Sequence, residues 1–121
     1  MSNTSMEFSR FIEVANADPD KSSAVVIVNG ALGGQDAARW STPDAPTWQS
    51  LDRKLKDAGL TPAQVQVMWV KHARIQPAQY GDFPKHAQEL KGHILASLNI
   101  ARERLPNLRV AYLASRIYAG Y

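Results

Sequence analysis

Four stretches of this chain carry residues that can do chemistry. The first is Asn29-Gly-Ala-Leu-Gly-Gly34, directly after the apolar run Ala24-Val-Val-Ile-Val28. Gly30, Gly33 and Gly34 let the backbone reach φ > 0 and let a ligand approach peptide N–H groups closely. Such N–H groups hold a phosphate or a developing oxyanion. The same spacing also describes a tight strand-to-helix turn with nothing bound. The second stretch is Lys71-His72-Ala73-Arg74, after Val65-Gln-Val-Met-Trp-Val70. His72 there is either a site residue or a structural hydrogen-bonder. The third is Ser115-Arg116, after the run ending at Ala114, and the fourth is Met1-Ser2-Asn3-Thr4, at the start of a helical pattern. A serine so near a chain start ordinarily belongs to a mobile terminus.

Several chemistries are excluded by spacing. The glycine turn lacks the G-x-G-x-x-G order, and the next strand ends in Lys71-His72 rather than an acidic residue, so it is a poor dinucleotide fingerprint. No Gly-Lys-Ser/Thr follows, which excludes a P-loop. His86 and His93 are seven residues apart and share a face of one predicted helix. They read as a polar stripe rather than a metal site, and no metal or organic cofactor is implied. Trp40 with Trp48, and Tyr112 with Tyr118 and Tyr121, read as packing clusters.

The elements that must position these residues alternate between helix and strand. Phe8, Phe11, Ile12 and Ala15 give Ser5 to Asn16 a helical period, with Thr4 or Ser5 as N-cap. Ala24 to Val28 is uncharged and mostly β-branched, the pattern of a strand buried on both faces. Asp36 can cap a short helix through Trp40. Thr47 to Ala58 is predicted helical on Trp48, Leu51 and Leu55, with Gly59 at the C′ position. Val65 to Val70 reads as a second strand. A helix from about Pro84 to Leu105 carries Leu90, Ile94, Leu98 and Ala101, and Pro106-Asn107 ends it. Leu108 to Ala114 reads as a third strand. This order predicts an α/β three-layer sandwich on one parallel sheet, with ligands at the carboxyl ends of the strands.

The chain has 121 residues, 45% hydrophobic, which suits one domain. Its net charge of +3 is scattered, so the charge pattern indicates neither nucleic acid nor an anionic membrane as partner. There is no cysteine, which removes disulfides and thiolate sites. No apolar run approaches the roughly 18–20 residues of a membrane span, and the first residues do not form a signal peptide. The first element is a helix with no strand before it, and the last is a strand without a covering helix. A three-stranded sheet is small. The expectation is therefore a single domain over 1–121 that is partial at both ends, with an open sheet edge available for self-association.

Taken together, these blocks resemble the SGNH/GDSL-type hydrolases, a flavodoxin-like α/β family of esterases, lipases and carbohydrate esterases. Met1-Ser2-Asn3-Thr4 before a helix is similar to the family's first block, which holds the nucleophilic serine. Val28-Asn-Gly-Ala-Leu-Gly-Gly-Gln-Asp36 matches the glycine turn of the second block. Lys71-His72-Ala73-Arg74 occupies the third, without the usual Asn. A Ser-Arg-x-Tyr motif, here Ser115-Arg116-Ile117-Tyr118, resembles a bacterial SGNH-like subgroup.

The resemblance implies that Ser2 attacks an acyl carbon. The N–H groups of Ser2 and of Gly33 or Gly34 would hold the oxyanion. Asn29, Lys71, His72 and Arg74 would line the cleft, with Arg116 on an anionic or sugar group. The substrate implied is a small-molecule ester or an acylated carbohydrate. The family's Asp-x-x-His block does not occur in this sequence. A serine without its base is a poor nucleophile, so the chain alone is expected to be nearly inactive. The rival expectation is a small α/β binding module that uses the glycine turn for a phosphorylated ligand. Ser2, Gly33, His72 and Ser115 are expected at one end of the sheet, and the chain is expected to be marginally stable.

Overall fold

The computed structural model describes residues 4–114. Among them the chain is mixed α/β, with three α-helices and a two-stranded parallel sheet. Helix α1 spans Thr4–Ala17, α2 spans Pro46–Asp57 and α3 spans Lys85–Arg104. Strands β1 and β2 are Val67–Val70 and Val110–Leu113, paired from Val67 with Val110 to Val70 with Leu113. A parallel pair needs a long crossover, and α3 supplies it.

The local chemistry explains these bounds. Pro46 starts α2 at a position where its missing N–H costs nothing. The helix stops because Gly59 takes φ 71°, a left-handed conformation that favours glycine. Gly59 N–H then donates to Lys56 O at 2.9 Å and Leu60 N–H to Leu55 O at 2.9 Å, a Schellman closure of the last turn. Asp36 precedes a single 3-10 turn at Ala37–Trp40, although its side chain makes no cap bond there.

The core sits where α2 and α3 meet β1. Trp48, Leu55, Ile100, Ala101 and Leu105 are buried together, and Val28, Leu51 and Met68 pack against them. The other face of β1 meets α1, where Phe8 stacks on Trp69 with ring centroids 5.5 Å apart. Helix α1 buries no residue fully, and Met6, Phe11 and Val14 are more than half exposed.

One strand expectation is corrected. Ala24–Val28 forms no strand and does not join the sheet. A strand exists only by its partner, and the flank of this segment faces a cavity rather than β1. The sheet therefore has two strands, not three.

Candidate functional site

The loops after the apolar segment and after β1 are drawn together. Ala37 N–H donates to Ala73 O at 2.9 Å, and Arg74 reaches back to Asp36 at 3.0 Å. Beside this junction lies a cavity of about 1170 Å³. Asn29, Gly33, Lys71 and His72 all border it. Four sequence candidates thus share one crevice. Ser2, Ser115 and Arg116 lie outside the described residues.

The polar groups of the rim are largely committed. Asn29 Nδ2 donates to Ser5 O at 2.8 Å and to Ser9 Oγ at 2.9 Å, and its Oδ1 accepts from Ala31 N–H at 3.2 Å. The side chain staples the glycine turn to α1. Lys71 pairs with Glu7 on the first turn of α1. Lys54, which sequence reasoning missed, donates from α2 to Ala31 O, and burial pushes its ammonium below the ordinary range. Its place on the helix gave no signal, because the partner is a main-chain carbonyl elsewhere in the sequence.

The glycines differ in what they allow. A Cβ at Gly30 would come within 2.9 Å of Leu51 Cδ1, so this residue lets the turn approach α2. Gly34 takes φ 72° and needs the freedom of glycine. Gly33 has open space where a Cβ would stand, which leaves room for a ligand beside its backbone.

His72 lies against Trp40, with ring centroids 5.8 Å apart, and its Nδ1 is buried without a hydrogen-bond partner among the described residues. Burial pushes the imidazole down to about 4, against an upward pull from Asp36. At neutral pH the ring is uncharged, and a base with so low a pKa draws a proton from serine poorly. The pH dependence follows. Above about pH 6.5 both native and unfolded His72 are neutral and nothing is lost. As pH falls from about 6.5 to 4, the unfolded chain takes a proton that the native site refuses, so stability drops by roughly 3 kcal/mol at most. Urea unfolding across this window should show a flatter acid limb for His72→Gln than for the parent. Identical slopes would assign the loss to other groups.

Arg74 does not border the main cavity. It is held by Asp36, by Glu89 at 3.8 Å and over the Tyr80 ring at 4.0 Å, beside a second cavity of about 500 Å³. His93 accepts or donates at Ser41 Oγ, 3.0 Å away, and His86 lies near Phe83. Trp40 and Trp48 meet edge to face at 5.0 Å, the packing expected of them. Among the described residues no cluster of three His, Asp or Glu side chains can hold a metal, and no helix is long and apolar enough to cross a membrane.

Comparison with protein-family models, with curated proteins and with solved structures returns no match.

Proposed function

We propose that this chain carries the acyl-ester-binding part of an SGNH-like serine esterase site on a flavodoxin-like three-layer frame. One observation supports this reading above the rest: Asn29, Gly33, Lys71 and His72 border one cavity. Lys71 and His72 follow the carboxyl end of β1, the end at which an open parallel α/β sheet binds ligands. The open backbone beside Gly33 suits an oxyanion or a carbonyl oxygen. The apolar walls given by Phe8, Leu51 and Trp69 suit an acyl chain. Ser2 is the proposed nucleophile and Arg116 a contact for an anionic or sugar group.

The rival phosphate-binding reading is disfavoured by the charges. Lys71 is neutralised by Glu7, and Lys54 already spends a donor on Ala31 O, so each cation beside the turn holds a partner within the protein.

Two measurements test the proposal. Hydrolysis of short-chain p-nitrophenyl esters by the isolated chain should not exceed background, because His72 is the only histidine at the crevice and burial keeps it a weak base. Turnover that Ser2→Ala abolishes would show a working base, with His72→Ala as the check on which one. An acetylated sugar should shift the backbone amide resonances of Asn29, Gly33 and Lys71. Shifts at Gly30, Gly33 and Gly34 with a sugar phosphate, and none with the acetylated sugar, would instead establish the binding module.

A further inference from the structure

The second cavity, of about 500 Å³, shares only Gln35 with the larger one proposed for the ester. It touches Ala45, Pro46 and Thr47 and no later residue of α2, so it lies off the N-terminal end of that helix. This helix end is uncapped. Ala45 holds the N-cap position and has no side-chain acceptor to offer, and Pro46 has no N–H. The first N–H of the helix is therefore that of Thr47. Thr47 is 2% exposed, and its N–H has no acceptor among the described residues. A buried peptide N–H without a partner is rare in folded proteins.

Arg74 and Arg39 border the same cavity. Arg74 is the buried one, its side chain 8% exposed. Asp36 at 3.0 Å and the Tyr80 ring, 4.0 Å from Cζ, hold its head group. Both of those residues border the cavity, so the guanidinium forms part of its wall. It has donors to spare: Nε has no hydrogen-bond partner, and Glu89 lies 3.8 Å from Nη2, beyond hydrogen-bond reach. Arg39 is the exposed one. Its carbonyl accepts from Thr47 Oγ1 at 2.7 Å, which fixes it beside the first turn of α2. Its guanidinium has no ion pair or hydrogen bond among the described residues. The one carboxylate among the residues that border the cavity, Asp36, is engaged by Arg74. Donors without acceptors thus converge on one space.

We propose that the second cavity binds the carboxylate of a small hydroxylated organic acid. The carboxylate accepts from the Thr47 N–H and from the Arg39 guanidinium, while Arg74 lends its charge from the wall. A carboxylate suits both donors, since charge-assisted bonds to arginine and to a helix N-terminus are the strong ones. The charge balance selects a monoanion. Arg74 and Asp36 cancel each other, which leaves Arg39 and the positive end of α2, about half a charge. A phosphate dianion would exceed that charge and be repelled by Asp36. The space far exceeds a carboxylate group, so the acid carries a body, and the Gln35 and Thr42 walls suit hydroxyl groups on it.

The probe is sodium gluconate, titrated into the intact chain at constant ionic strength and followed by backbone amide resonances. It should shift Thr42 and Thr47 saturably and leave Asn29 and Lys71, at the main cavity, unmoved. Glucose lacks the carboxylate and glucose 6-phosphate replaces it with a dianion of similar size. Each should bind at least about tenfold more weakly than gluconate, the loss expected when a charge-assisted bond is missing or opposed. Arg39→Gln, at an exposed position, should keep the spectrum of the folded chain and weaken gluconate by the same factor. A smaller difference in any of these three comparisons would overturn the proposal, as would the absence of saturable shifts with gluconate. Shifts at Asn29 and Lys71 in place of Thr42 and Thr47 would return the acid to the main cavity and overturn it too. The proposal is independent of the ester reading, whose amide shifts belong to Asn29, Gly33 and Lys71.

Discussion

Trp48→Ala is expected to abolish cooperative unfolding at room temperature or to leave a chain that melts only just above it. Trp48 is 2% exposed, the largest fully buried side chain of the core. Its indole touches Trp40 edge on, its Nε1–H donates to Trp40 O at 3.1 Å, and the Arg104 guanidinium lies 5.9 Å from its ring centre. Truncation removes the packing of α2 on α3 and leaves Trp40 O without its donor. Large aromatic truncations in cores cost about 3–5 kcal/mol, and whole domains of this size hold only about 5–15 kcal/mol. The two-stranded sheet and the thinly packed α1 place this chain toward the lower end. Urea unfolding followed by tryptophan fluorescence and by far-UV circular dichroism measures the effect. A loss below about 1 kcal/mol would show that the core collapses around the cavity.

Asp36→Ala is the second large effect. The Asp36 and Arg74 side chains are 11% and 8% exposed and lie 3.0 Å apart. Removing one partner of a buried pair strands the other charge, at a cost of about 3–5 kcal/mol. Glu89 at 3.8 Å and the Tyr80 ring at 4.0 Å recover part of the loss, so the expected value lies near 3 kcal/mol. Replacing both residues together, as Asp36→Leu with Arg74→Met, should cost clearly less than Asp36→Ala alone, because no charge is then left buried. A double-mutant cycle in urea reads that difference. Equal costs for the single and the double variants would deny the pair any coupling. The consequence reaches the crevice, since the pair spans the loops that bear Gly33 and His72.

The helices were legible because their signals are local. Leu51 and Leu55 follow Trp48 at helical spacing, and the positive φ of Gly59 closes α2 where a glycine was expected. The parallel pairing of β1 and β2 followed from two apolar runs separated by one helix. Ala24–Val28 misled for a physical reason: its composition suits a buried strand, but a strand exists only by pairing, and this segment is not hydrogen-bonded to the free edge of β1. Asn29, Gly33, Lys71 and His72 were found together because all follow apolar runs. What became of them was not legible. The burial of His72 depends on Trp40, and Arg74 was claimed by Asp36, a carboxylate far back in the sequence. Lys54 gave no pattern at all.

The register of the sheet fixes an order of assembly. Val67 pairs with Val110, 43 positions later (110 − 67). Closing a flexible loop of that length costs about 3 kcal/mol in chain entropy before any ladder bond forms. Helix α3 forms locally within about a microsecond and, once docked on α2 through Ile100, Ala101 and Leu105, carries Val110 back toward β1. The ladder is thus expected to close last during folding, and β2, with Tyr112 and Leu113 more than half exposed, to open first when the chain comes apart, which hydrogen exchange at the β2 amides would read.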